Sequence, residues 1–370
     1  MADASPPIRV LHLTAGSDAG GLSRYIHDLS QAMRQQGHQV AIAGEHGAWH
    51  ELFERSQLPW LDMPLKGGPL ALLRSTRQLR KHLRQHPVDI THVHYRRPML
   101  VARRVPRSLR GPLLYTVHLT DIALRAPMRW LTDFGDHVHA PSAAARDWLI
   151  RQARVPADRI SVIRHGIHIE QYPPCSAEEQ HQARQALNLP IDAVIAGFVG
   201  RFDIPKNESW MLDVAGAARR RGLNAHVVMA GGGLHEPELR RRIAHERLES
   251  CVTVLGYIDP RPVYQAADCL MLPSAREGFS YVCAEAMSTG RPVLRTRTAG
   301  TEETVIEGVT GRSAPIQREA FVEAAVAMLA DSPALARMGQ AAAQHVRQHL
   351  TFQRQMQETL SLYRTLINSR

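Results

Sequence analysis

Residues 9–43 read RVLHLTAGSDAGGLSRYIHDLSQAMRQQGHQVAIA. An apolar run of strand length over 9–14 gives way to Gly20 and Gly21, and a second such run follows at 39–43. Between them Tyr25, Ile26, Leu29, Ala32 and Met33 recur at helical spacing over 23–36. Gly37 then supplies the residue that most readily takes the left-handed conformation closing a helix. Strand, helix and strand in so short a span make one βαβ unit, whose two strands run parallel in a single sheet.

The rhythm continues outward. Strands are expected at 90–94, 113–118, 138–140 and 160–164. Tyr172, Pro173 and Pro174 read as a hinge. Beyond them a second series places strands at 194–199, 226–230, 252–255, 269–272, 292–295 and 304–306, with helices near 207–221, 235–246 and 280–289. Helical patterns at 317–348 and 353–367 close the chain. The prediction is an α/β protein of two Rossmann-like, doubly wound domains, 1–174 and 175–350, with a helix in 351–370 packing back on the first. Open sheets of this kind bind ligands beyond their C-terminal strand ends, so the two domains are expected to face a central cleft.

Composition narrows the function classes. No apolar run approaches the roughly 18 residues that span a bilayer, and the N-terminus lacks the layout of a secretory leader, so a cytoplasmic protein is expected. The four cysteines form no C-x-x-C pair. Twenty histidines occur without an H-E-x-x-H, and His92 with His94 is what an alternating strand would show, so no metal is expected. The net charge of +10 is uneven: 66–110 holds twelve basic residues against one acid, Asp89. Such a face attracts an anionic membrane surface or a phosphorylated acceptor. With Tyr95 its only aromatic residue, it lacks the interleaved rings of a single-strand nucleic-acid binder.

Chemistry concentrates at strand ends. Residues 273–290, PSAREGFSYVCAEAMSTG, read turn then helix, with Glu277 in the loop and Glu285 inside the helix. The helix start, Gly278, Phe279, Ser280 and Tyr281, offers backbone N–H groups and a positive dipole end to an anion. Ionised carboxylates only accept hydrogen bonds, which suits Glu277 and Glu285 to the hydroxyls of a sugar. Residues 198–207, FVGRFDIPKN, place Arg201 and Lys206 where they could clamp phosphate oxygens. Lysine is rare here, with three lysines against 42 arginines, so its use at 206 points to a need for a compact ammonium. Gly20 and Gly21 would let backbone approach a ligand at a helix start. His118 ends its strand and would point into the cleft. The run 231–233, GGG, reads as a turn.

Together these segments resemble the retaining glycosyltransferase family 4, of GT-B type, over nearly the whole chain. The likeness is most specific in PSAREGFSYVCAEAMSTGRPV, which is similar to the family's E-x7-E segment, and continues in Gly300, Thr301 and Glu302. The resemblance implies a metal-independent hexosyltransferase using a UDP- or GDP-sugar and no cofactor. Arg201 and Lys206 would bind the donor diphosphate, Glu277 the sugar hydroxyls and Glu285 the ribose. His118 would lie beside the sugar, with Gly20 and Gly21 near phosphate and acceptor and Gly278 to Tyr281 completing the contacts. The acceptor would be a glycan or glycolipid of cell-envelope, lipopolysaccharide-type biosynthesis, met by an enzyme peripheral to the membrane. No two of the sixteen aspartates form the D-x-D of metal-dependent glycosyltransferases. The sequence departs from the family pattern at residues 165–168 (HGIH), at Asn207, and at Arg295 and Arg297. A GT-B epimerase or hydrolase is the nearest alternative, and a basic nucleic-acid-binding protein a more distant one.

Overall fold

The computed structural model describes residues 6–18, 20–65, 67–118 and 132–369. Lys66, which opens the basic stretch, lies outside the described residues. The chain divides into two compact units, residues 1–163 with 355–370, and residues 164–354.

The first unit holds β1 (Arg9–Gly16), β2 (Gln39–Glu45), β3 (Trp60–Asp62), β4 (Ile90–Val93), β5 (Leu113–Thr116), β6 (His137–Ala140) and β7 (Ile160–Val162). They form one parallel sheet in the order β3-β2-β1-β4-β5-β6-β7. Leu11, Leu13, Val93 and Val138 bury one face in an apolar core. The helix Phe352–Asn368 contributes Met356, Leu360 and Tyr363 as buried residues, and Tyr363 bonds His92 of this unit.

The second unit holds β8 (Val194–Val199), β9 (Ala225–Ala230), β10 (Val252–Gly256), β11 (Cys269–Leu272), β12 (Val293–Thr296) and β13 (Gly311–Ala314). Their parallel order is β10-β9-β8-β11-β12-β13. Both units are Rossmann-like, doubly wound sheets.

One strand expectation needs correction. Residues 304–306 are not a strand: Thr301–Thr304 is a helical turn entered through Gly300 at φ 73°, and Thr304 Oγ1 donates to the Thr301 carbonyl at 3.1 Å. The last strand is Gly311–Ala314, which sequence reasoning passed over because GRSA has no apolar run. The short β3 was also missed. The boundary between units falls before the Pro173-Pro174 hinge, because Ile167 belongs with the second unit: its N–H donates to Leu350 O at 2.9 Å and its carbonyl accepts from Phe352 N at 2.9 Å.

Candidate active site

Each sheet has one point where strand order reverses, and an open parallel sheet presents its ligand crevice there. In the second unit the reversal lies between β8 and β11, whose following loops carry the two motifs singled out above. The loops are tied together by Asn207 Nδ2 donating to Pro273 O at 2.9 Å and Ala275 N donating to Pro205 O at 2.7 Å. Lys206 is thereby brought to Glu277, Nζ to Oε1 2.5 Å, with side-chain exposures of 19% and 11%. The two residues assigned to separate tasks, diphosphate and sugar, thus meet as a largely buried ion pair. Arg201 differs: its side chain is 65% exposed and lies 3.4 Å from Asp203, a contact weakened by solvent screening.

The helix Tyr281–Ser288 begins beside Glu277. Ser280 is its N-cap, the buried Oγ accepting from Cys283 N at 3.4 Å, so that hydroxyl first serves the helix. Phe279 and Tyr281 pack edge to face at 5.3 Å between ring centroids, and Phe279 meets His165 in the same way at 5.5 Å. Glu285 is only 2% exposed and accepts from Tyr264 Oη at 2.6 Å. Burial, reinforced by Glu285, raises the Tyr264 hydroxyl well above its ordinary pKa, so it remains a donor.

Glycines let these loops close. A Cβ at Gly231, where φ is 148°, would overlap the Gly200 carbonyl oxygen, and Phe202 N donates to Gly232 O at 2.9 Å. The run 231–233 is therefore packed against the loop that carries Arg201, beyond its reading as a turn. Gly300 similarly lies against the Gly278 carbonyl, where a Cβ would overlap.

In the first unit the reversal lies between β1 and β4. Ala15, His94, Tyr95, Arg96, Arg97, Tyr115 and His118 line a cavity of about 290 Å³ there. His118 follows β5, which ends at Thr116, two residues earlier than expected from sequence. Gly20 caps the helix Gly21–Gln35 at φ 147°, with open space where a Cβ would stand. Its glycine character answers to backbone conformation, and none of the described residues crowds it. The first turn of that helix carries no acidic residue, and its glycine N-cap offers no side-chain cap.

Below the cavity one sheet face is lined with histidines. His12 Nδ1 lies 3.0 Å from His94 Nε2, and His94 Nδ1 lies 3.3 Å from His118 Nε2. His92 meets Tyr363 Oη at 2.6 Å and Thr116 Oγ1 at 2.5 Å. Thr116 continues to His139 Nδ1 at 2.9 Å, and His139 Nε2 donates to the Ile163 carbonyl at 2.8 Å. Burial pushes His12 and His118 down to about 3, His139 to about 4, and His94 well below the ordinary imidazole range. His118, whose pKa His139 also lowers, thus presents a neutral ring to the cavity. His12, His92 and His94 offer nitrogens within 4.8 Å of one another, a spacing that could serve a metal ion.

The Glycosyltransferase Family 4 profile matches residues 19–171, and that of Glycosyl transferases group 1 matches residues 193–331. The chain belongs to glycosyltransferase family 4. Among curated relatives of this family 4 glycosyltransferase, the D-inositol 3-phosphate glycosyltransferase of Corynebacterium urealyticum is 32% identical over 56% of the chain, a match spanning about half (51%) of that relative. The enzyme of the same name from Corynebacterium glutamicum is 26% identical over 89% of the chain and 88% of its own length. Among solved structures, Anabaena Alr3699/HepE in complex with UDP superposes with a TM-score of 0.83 at 21% identity, covering 97% of the chain and all (100%) of that structure. A glycosyltransferase from Rickettsia africae gives 0.83 at 17% identity over 98% of the chain and 100% of its own. The fold is that of the GT-B enzymes.

Of the predicted site residues in this glycosyltransferase, Arg201, Lys206 and 277–285 come together at the second unit's reversal, and His118 lies at the first unit's. Gly20 and Gly21 stand at the helix following β1. Tyr264, the partner of Glu285, escaped sequence reading because a tyrosine in VYQAA carries no motif. The histidine face did leave a signal: His12, His92, His94, Thr116 and His139 all fall on alternate strand positions pointing the same way.

Proposed function

We propose that the enzyme transfers a hexose, with retention of configuration, from a UDP- or GDP-sugar to an acceptor bearing a phosphate. The observation carrying this reading is the Lys206–Glu277 pair at the β8/β11 reversal, beside the start of the helix Tyr281–Ser288. Free N–H groups at a helix start suit the donor diphosphate, with Arg201 and Lys206 offsetting charge as it leaves. Glu277 receives the sugar hydroxyls and Glu285, once its pocket opens to ligand, the ribose. The departing diphosphate takes the acceptor proton on the same face, so neither glutamate acts as a covalent nucleophile, and the scheme uses no metal. Support for UDP comes from the Anabaena neighbour, described in complex with UDP-glucose. In a melting experiment, a nucleoside diphosphate at one hundred times its Kd stabilises by about 2.7 kcal/mol, an upward shift of several degrees. UDP, GDP and ADP all leaving the melting temperature unchanged would refute the donor reading.

For the acceptor, Arg96, Arg97, Tyr95 and His118 around the first unit's cavity suit a phosphorylated polyol, and the corynebacterial relatives are named for inositol 3-phosphate. This replaces the lipopolysaccharide-type acceptor expected from the resemblance. The helix Pro69–Gln85, PLALLRSTRQLRKHLRQ, supports work at an anionic membrane surface. It carries no acid, exposes Leu70 (83%) and Leu73, and turns Arg74, Arg77, Lys81 and Arg84 outward without an acidic partner among the described residues. Two apolar side chains beside a basic stripe match an interfacial contact. Co-sedimentation is expected with phosphatidylserine vesicles and not with phosphatidylcholine vesicles, and Arg77→Glu/Lys81→Glu is expected to abolish it. Equal binding to both kinds of vesicle would contradict the membrane role.

A further inference from the structure

Arg295, on β12, is 1% exposed, and its partners are all neutral: Nη1 donates to Thr304 Oγ1 at 3.1 Å and to Gly300 O at 3.4 Å, and Nη2 donates to Thr298 Oγ1 at 2.8 Å. Its Nε has no hydrogen-bond partner, and no carboxylate pairs with it among the described residues. A buried guanidinium without a counter-charge is costly, and truly solitary buried charges are rare. Its surroundings indicate what completes it. Gly300, which it holds, rests on the Gly278 carbonyl next to Glu277. Burial raises the Cys283 thiol, and the Arg295 charge opposes that shift, which places the guanidinium's field at the first turn of the helix Tyr281–Ser288.

The other cations nearby are less effective. Lys206 is neutralised by Glu277, and Arg201 is exposed to solvent. Positive charge held in a water-excluded interior acts at longer range than the same charge in solvent.

We propose that Arg295 is a donor-selecting residue, an uncompensated buried cation beneath the helix start that favours a nucleoside diphosphate over the bare nucleoside. The inference rests on the donor-site reading of the second unit and adds to it a residue that departs from the family pattern. The anion, when bound, supplies the counter-charge that the protein lacks, while Arg201 and Lys206 remain the groups that touch it.

The test measures affinity of the full chain for UDP and for uridine by calorimetry, in the wild type, Arg295→Met and Arg295→Lys, with melting temperatures alongside. Arg295→Met is expected to weaken UDP by about tenfold or more while leaving uridine within about twofold. Arg295→Lys, retaining the charge, is expected to keep most of the preference for the diphosphate. An unchanged UDP-to-uridine ratio in Arg295→Met overturns the proposal, as does equal loss of both ligands, which would mark a purely structural role. If Arg295→Met does not fold, Arg295→Lys decides: loss of the diphosphate preference in that charged, folded variant also overturns it. Wild type that binds no nucleoside diphosphate, GDP included, would instead bring down the donor-site reading itself.

Discussion

Replacing Glu277 by glutamine is expected to lower sugar transfer by about two to three orders of magnitude, mostly in kcat, because the group acts where charge and hydroxyl contacts sharpen in the transition state. The structure adds a complication that a motif alone would not reveal. Glu277 also neutralises Lys206 at 2.5 Å, so the single change leaves a mostly buried ammonium without its partner. A fall in melting temperature is therefore expected from Glu277→Gln and from Lys206→Met separately. Combining them removes both charges together and is expected to recover most of that loss while remaining inactive. Steady-state kinetics and melting curves on the three variants separate chemistry from stability. A double variant with near-normal turnover would exclude the pair from catalysis.

Acid is expected to unfold the first unit well before carboxylate protonation explains it. His12, His94 and His139 are fully buried and hold their protons below the ordinary imidazole range, whereas the unfolded chain takes them up near pH 6.5. The unfolded state then binds more protons than the native one, so stability is complete above pH 6.5 and falls as pH drops toward the folded pKa values of about 3 to 4. At pH 5.5 His12 and His139 each cost about 1.4 kcal/mol, about 3 kcal/mol together, with His94 acting in the same direction, a large part of a domain's usual 5–15 kcal/mol. Urea midpoints measured from pH 8 to 5 should be level at first and then descend steeply, as the unfolded chain takes up the protons that the buried histidines refuse. His12→Asn is expected to reduce that slope by about one proton. A flat profile down to pH 5 would show that the histidine face takes up protons without unfolding.

Much of this architecture was legible because parallel strands buried on both faces write themselves as apolar runs: 194–199 and 269–272 are strands over the residues expected. Runs that lack this signature were lost. Trp60–Asp62 and Gly311–Ala314 pair at sheet edges, where their neighbours' backbone groups, more than their own side chains, call them into the ladder. At the site, Glu277, Lys206 and Arg201 could be named from loop position and residue type. Their pairing could not, because it depends on Asn207 and Ala275 tying two loops 66 to 70 positions apart. The roles of Tyr264 and Arg295 stayed hidden for a related reason. Tyr264 acts through its hydrogen bond to Glu285, 21 positions on, and Arg295 through its burial against the 298–304 turn, and neither relation leaves a spacing in the sequence.

Hydrogen–deuterium exchange with and without saturating UDP or GDP addresses the central claim, that the nucleotide-sugar is held where the loops after β8 and β11 meet. Protection concentrated in peptides covering 199–207 and 273–285, with weaker change elsewhere in the second unit, is the expected result. Protection confined to other segments, with those two loops unchanged in a chain that demonstrably binds the nucleotide, would contradict it.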